Sequence, residues 1–425
     1  MILKPDATNA TQQPKPARIW WSNGAIFCLF HLVALIGVYF YPPAVVPTKT
    51  FVLCIFLWKM AGFGLSMGYH RLFSYRAYTA GFGLRAALAF LGASAFEGSI
   101  KRYTDDPVHD PYAATRGLFY SHMGWMFYKP EFERLKHVDG GDLERDPVVR
   151  FQHKYYVRLA MFSGLVLPTA IAYTWGDAKG GFLWAGVITR LAVWHCTFLV
   201  NSLAHWDGLQ PYSDNNTSRG NLIVALLTCG EGNHNFHAFP YDYRSGPSAV
   251  SYDPSKWILF VLEKLGAGVK GQLRRAREED IRDALEYMDH KNAHGVPPPE
   301  PDESDSSANE WTTNDAMDYI RKYPGRCLIL VQGWVLDVTE YLGEHVSLPV
   351  CLCRRLMLIA AALSQPGGNS LLRSYSLRTI EPDQSKYEWK DATWAFEGGL
   401  NCHTRAAIHR MREYRVARLK STAMI

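Results

Sequence analysis

The sequence predicts a mainly α-helical membrane protein: a four-helix transmembrane bundle under a helical cap, followed by a small soluble domain. Three observations predict it. Four apolar runs lie at 24–41, 50–67, 156–175 and 181–203, each near the roughly 20 residues that cross a bilayer core. They come in two pairs, and each pair is joined by a short polar turn, at 42–49 and 176–180. A Pro-, Asp-, Glu- and Ser-rich stretch at 291–309 then separates the membrane part from a final soluble segment, because such a composition cannot bury a core.

Residues 1–19 are polar, with Pro5, Pro14 and Pro16, and are expected to be a disordered N-terminus without a secretory cleavage signal. The first run has Trp20 and Trp21 before it and Tyr39 and Tyr41 at its end, the aromatic edges of a span. The second is interrupted only by Lys59. The stretch 81–96 is also apolar but short, and it carries Arg85. Were it to cross, His70 and His205 would face opposite sides, so it is read as a re-entrant or interfacial helix. Two hairpins then leave the N-terminus, 68–155 and everything after His205 on one side. That side holds nearly all the Lys and Arg, against Lys49 and Lys179 in the two turns, which makes it cytosolic.

Beyond the fourth run, Tyr252-Asp253-Pro254 opens a helix toward Gly266, and 270–288 reads as a charged, solvated helix. The membrane domain is bounded at 20–290, the linker at 291–309 and the last domain at 310–425. There Thr312 with Asp315 has the spacing of an N-terminal capping box. The net charge of +5 comes without a long basic run, so nucleic acid is not an expected partner. Eight cysteines without a CxxC pair argue against a disulfide framework and for a reducing face.

The chemistry concentrates in Gly230-Glu231-Gly232-Asn233-His234-Asn235-Phe236-His237. Two histidines three apart can present neutral imidazoles to one metal ion, although this spacing alone is also common in ordinary surface pairs. Upstream lie Gly68-Tyr69-His70-Arg71-Leu72-Phe73-Ser74-Tyr75-Arg76 and Asn201-Ser202-Leu203-Ala204-His205, each at the cytosolic end of an apolar run. With Arg102-Tyr103-Thr104-Asp105, Asp110-Pro111-Tyr112 and Tyr120-Ser121-His122-Met123-Gly124-Trp125, these stretches closely resemble the membrane acyl-CoA Δ9 desaturases over 20–285. The final segment resembles cytochrome b5, which implies a small α+β fold, as in the fungal, Ole-type enzymes that carry their own electron donor.

The resemblance implies a di-iron centre held by three histidine boxes and a lone histidine. The matching positions are His70, His205, His234 and His237, with Asn201 reaching a metal through water. It implies O2-dependent insertion of a cis double bond into stearoyl- or palmitoyl-CoA, with electrons from NADH through cytochrome b5 reductase and haem b. It places the chain in the endoplasmic reticulum membrane, among lipid, with both termini cytosolic. Lys129, Arg134 and Lys136 resemble a basic patch for the coenzyme A head, and equally suit contact with lipid headgroups.

Several positions depart from the family pattern. Tyr75 stands where the first box has its second histidine, the H-x-x-H-H of the second box is missing between Ile100-Lys101 and Arg102-Tyr103, and Ala238 follows His237 where another histidine is expected. In the tail, His345 is separated from Pro366-Gly367-Gly368 by 346–365. Removing that insert restores the His-Pro-Gly-Gly of the first haem ligand, and its Val-Ser start and Gln end suit the codons of a retained intron. His403 is the second haem-ligand candidate, and two axial imidazoles would leave iron no open position. The alternative to an active enzyme is an inactive desaturase homologue or a mis-spliced product. His31 and His195, inside apolar runs, are read as structural hydrogen-bonding residues, His122 as a packing residue, and His109 and His409 as solvated.

Overall fold

The computed structural model describes residues 18–100, 116–129, 141–214, 217–239, 241–298, 309–343, 368–379, 387–396 and 405–420. Four of its helices are long and apolar enough to cross a membrane: Trp21–Phe40, Thr48–Ser74, Pro147–Tyr173 and Ala178–Trp206. The last three exceed their apolar runs, because polarity does not end a helix; only loss of hydrogen-bond partners or a cap does. Asp146, with Pro147 after it, caps the start of the third span, and Asp177 caps the start of the fourth. The extra turns carry His70 and His205 on the same rods that cross the bundle.

The first span is peripheral. Only Gly24, Phe27 and Ala34 are buried in it, while Ile26, Leu29, Leu32 and Leu35 face outward, as side chains solvated by lipid should. At the end of the bundle away from the histidines, Asp177 ties the hairpins together. Its carboxylate accepts from Thr50 Oγ1 and, at 2.9 Å, from both Tyr41 Oη and the Gly180 amide.

The apolar stretch after the first histidine forms a helix over Phe82–Ala93, about 18 Å long and too short to cross. It doubles back along the second span, with Leu88 opposite Gly68 and Gly92 opposite Gly64. A Cβ on Gly64 would lie 2.3 Å from the Gly92 amide nitrogen, so glycine is what lets the two backbones touch. The chain then threads between the third and fourth spans. The Arg190 guanidinium donates to the Ser94 carbonyl, Trp194 Nε1 donates to the Ala95 carbonyl at 2.9 Å, and Gly98 N donates to Tyr156 Oη at 2.7 Å.

The cap includes helices Pro254–Lys264 and Glu278–His294 and the two-stranded pair β1 (Thr79–Ala80) and β2 (Val269–Lys270). The charged helix expected over 270–288 is shifted. Residues 271–277 are irregular, and the helix starts where Glu278, Glu279 and Asp280 meet its positive end. It runs past the expected linker start at 291 and stops at Gly295, whose left-handed φ of 72° is a helix C-terminal signal.

The last segment is a small α+β unit. Its sheet has the order β3 (Glu310–Trp311), β8 (Arg415–Leu419), β5 (Trp334–Asp337), β4 (Leu328–Val331); β3 and β8 run parallel and the other neighbours antiparallel. Arg378–Thr379 (β6) and Tyr387–Glu388 (β7) form a separate pair. The helix Thr313–Lys322 begins with the expected capping box of Thr312 and Asp315. One face of the sheet buries Ile329, Val331, Trp334 and Leu336 under Met411. Arg277 of the cap makes a two-pronged ion pair with Glu413 of this unit, at 2.8 and 3.0 Å. The insert 346–365 and both haem-ligand candidates, His345 and His403, lie outside the described residues.

Candidate metal centre

The last turns of the second span, Gly64–Ser74, are wound wide, in a π-helix, and Tyr75 N donates to the His70 carbonyl five residues back at 2.8 Å. In an ordinary α-helix residues five apart point roughly 140° away from each other. In the widened turn they share a side: the rings of His70 and Tyr75 lie 4.3 Å apart. An H-x-x-x-x-H spacing therefore suits this turn, and Tyr75 occupies the second position.

Opposite stands the Gly230–His237 stretch, shaped by close packing. Gly230 has φ +114°, a Cβ on it would lie 2.4 Å from Asp253 Oδ1, and a Cβ on Gly232 would lie 2.3 to 2.5 Å from Ala225. Asn235, fully buried, accepts from Tyr212 N at 2.7 Å and donates to the carbonyls of Ser213 and Ser218. That clamp fixes the short 3₁₀ turn His234–Ala238 against the loop that also positions His205, whose Nδ1 is 2.7 Å from Thr217 Oγ1.

The four imidazoles named from the sequence meet in one row. Ring centres are 4.9 Å apart for His70 and His237, 4.8 Å for His237 and His234, and 5.6 Å for His234 and His205. Asn201 is completely buried one helical turn before His205. Burial, together with the facing imidazoles, pushes the His234 pKa well below its ordinary value and that of His237 to about 3. Both rings are neutral at pH 7 and carry free lone pairs. His70 Nε2, His205 Nε2, both ring nitrogens of His234 and His237 Nε2 are buried without a hydrogen-bond partner. Unpaired buried polar atoms are costly and rare; several lone pairs converging in one place suit a metal ion.

Sequence reasoning missed Glu231. Its Oε2, also unpartnered, stands 3.5 Å from His70 Nε2 and 3.7 Å from His237 Nε2. Its Oε1 accepts from Ser66 Oγ and, at 2.9 Å, from Arg71 Nη2. Arg71 in turn reaches both oxygens of Asp253, at 3.0 and 3.1 Å, and the Tyr243 carbonyl at 2.7 Å. One buried guanidinium thus bolts the second span to the Gly230–His237 stretch. An acid held between two glycines, three residues before a histidine pair, was the available signal.

Other predicted residues fall elsewhere. Lys129 is exposed, and its amide pairs with the Arg18 carbonyl, while Arg134, Lys136 and His109 lie outside the described residues. The intramembrane histidines hydrogen-bond as expected, His31 Nε2 contacting His195 Nε2 at 3.0 Å, whereas His122, expected only to pack, extends the chain: its Nε2 contacts His195 Nδ1 and its Nδ1 contacts Ser202 Oγ, each at 3.0 Å. His409 is exposed.

Over 96% of its length this chain is 34% identical to a probable acyl-CoA desaturase of Schizosaccharomyces pombe, of which the match covers 80%. The chain belongs to the acyl-CoA desaturase family. Acyl-CoA desaturase 1 of Saccharomyces cerevisiae is 33% identical over 97% of this chain and 77% of its own. Human stearoyl-CoA desaturase 5 is 34% identical, but over 58% of this chain and 79% of its own. No family model matches the chain. The fungal desaturases thus align with the small α+β unit as well as the bundle. Four apolar helices in such a desaturase make it a multi-pass membrane protein.

Proposed function

We propose that this desaturase acts on acyl-CoA at the Δ9 position of a stearoyl or palmitoyl chain, using O2 and electrons delivered from NADH through cytochrome b5 reductase and the fused haem domain. Its place is the endoplasmic reticulum membrane, with both termini cytosolic. The observation that carries the reading is the row of four buried imidazoles beside Glu231, with ring nitrogens left without hydrogen-bond partners.

The donor chemistry fits iron: imidazole and carboxylate are ligands of oxygen-activating iron sites. Bound there, iron would activate O2, the oxidant that takes two hydrogens from an unactivated methylene pair and is itself reduced to water. The protein's own residues prepare the place. His70, His237 and Glu231 present their lone pairs, Arg71 and Ser66 fix the carboxylate, and the surrounding apolar side chains exclude water. Five donor side chains among the described residues suit one ion better than the two of the family. We infer that turnover needs an H-x-x-H-H segment between Lys101 and Arg102, where the family carries its second box. The haem rests on resemblance to cytochrome b5, with His345 and His403 as its axial ligands.

Growth of a desaturase-deficient yeast without unsaturated fatty acid tests the reading. We expect rescue by the chain with the H-x-x-H-H segment restored and Glu344-His345 joined to Pro366-Gly367-Gly368, and no rescue by the chain as it stands. Failure of both, with the protein present in membranes, would favour an inactive homologue.

A further inference from the structure

We propose that this chain holds a single metal ion with a carboxylate in its donor set: His70, His237 and Glu231. This rests on the metal-centre reading above but not on any desaturation reaction.

The three donor atoms lie within 4.8 Å of one another, and all three side chains are buried. Metal–ligand bonds near 2.1 Å place neighbouring donors about 3.0 to 3.4 Å apart. The observed 3.5 and 3.7 Å from Glu231 Oε2 to the two imidazole nitrogens are close to that spacing, so small side-chain adjustments close the site. Glu231 is divided as a metal-binding carboxylate should be: one oxygen is anchored by Arg71 and Ser66, and the other is bare and aimed at the imidazoles. Outer-sphere anchoring of this kind orients the ligating atom. Two histidines and one carboxylate, with positions left open, are the donor set of mononuclear non-haem iron sites.

The count excludes a second ion of equal quality among the described residues. Once His70, His237 and Glu231 hold one metal, His234 and His205 remain, and their rings are 5.6 Å apart. Two imidazoles are too few to fix a second ion. They are placed to supply a fourth donor to the first or to hold water beside it.

Cobalt(II) titration of the metal-stripped full-length chain in detergent, followed by its visible absorption, tests the inference. Absorption is expected to saturate at one equivalent. Glu231→Gln, which keeps the shape and removes the charge, should weaken binding at least tenfold. Ser66→Ala loosens the same carboxylate without removing a donor and should still bind one equivalent, which separates ligand loss from a disturbed fold. Saturation at two equivalents, no cobalt band at all, or Glu231→Gln binding like the parent would each overturn the proposal. The yeast growth assay reads desaturation instead, so the two readings fail separately.

Discussion

The two ends of the bundle carry buried polar networks of similar size and opposite character. At the hairpin end, Asp177 receives hydrogen bonds from Tyr41, Thr50 and Gly180, Trp175 Nε1 donates to Thr50 Oγ1 at 3.0 Å, and Trp184 Nε1 donates to the Tyr41 carbonyl at 3.0 Å. Each of these groups is satisfied, and the network is a clasp. At the histidine end, Arg71 satisfies Glu231 Oε1 and Asp253, yet Glu231 Oε2 and nitrogens of four histidines are left bare. Folding alone would not favour such a set, since each unpaired buried group costs free energy. The difference teaches where to look for chemistry: in the network that stays incomplete.

The largest effect should come from the cation at the histidine end. Arg71→Met leaves two buried carboxylates without their shared partner and should cost about 3 to 5 kcal/mol, read as a fall in the thermal unfolding midpoint in detergent. If Arg71→Met were as stable as the parent, the contrast between clasp and site would fail.

Metal should complete one end and leave the other untouched. Saturating the centre with cobalt at about a hundred times its dissociation constant should stabilise the chain by about 2.7 kcal/mol. The same increment is expected in Asp177→Ala, because distant sites add. An increment altered by Asp177→Ala would mean that the ends are coupled.

Asp177→Ala should itself cost about 1 to 3 kcal/mol by orphaning buried donors, with cobalt affinity unchanged. Tyr75→His is the complementary change. It adds a donor beside His70, where the rings are 4.3 Å apart, and should tighten cobalt binding about tenfold, or about 1.4 kcal/mol.

The smallest effect belongs to the contact between cap and α+β unit. Arg277 holds the Glu413 carboxyl below its ordinary 4.5. A depressed carboxyl pKa means that the contact is present at neutral pH and is lost as pH falls through the lowered value. Being largely exposed, it should also weaken with salt. Energy transfer between fluorophores on the two units should fall below about pH 4.5 and should not change between pH 6 and 8.

The sequence alone determined the elements whose signal is local. Apolar run length set the four spans, two short turns set the hairpins, and Thr312 with Asp315 set the start of a helix. Spacing marked His234 and His237 as a pair, and the resemblance to the desaturase motifs added His70, His205 and Asn201. What it could not place was anything fixed by contacts across the chain. Glu231 meets Arg71 across 160 residues and Arg71 meets Asp253 across 182, and no local pattern encodes such a distance. The helix ends behave likewise: a polar residue looks like an end in the sequence, whereas in the fold a packed helix carries it onward until its backbone loses partners. Tertiary packing decided that an acid should stand among the imidazoles with one oxygen tied and one oxygen bare.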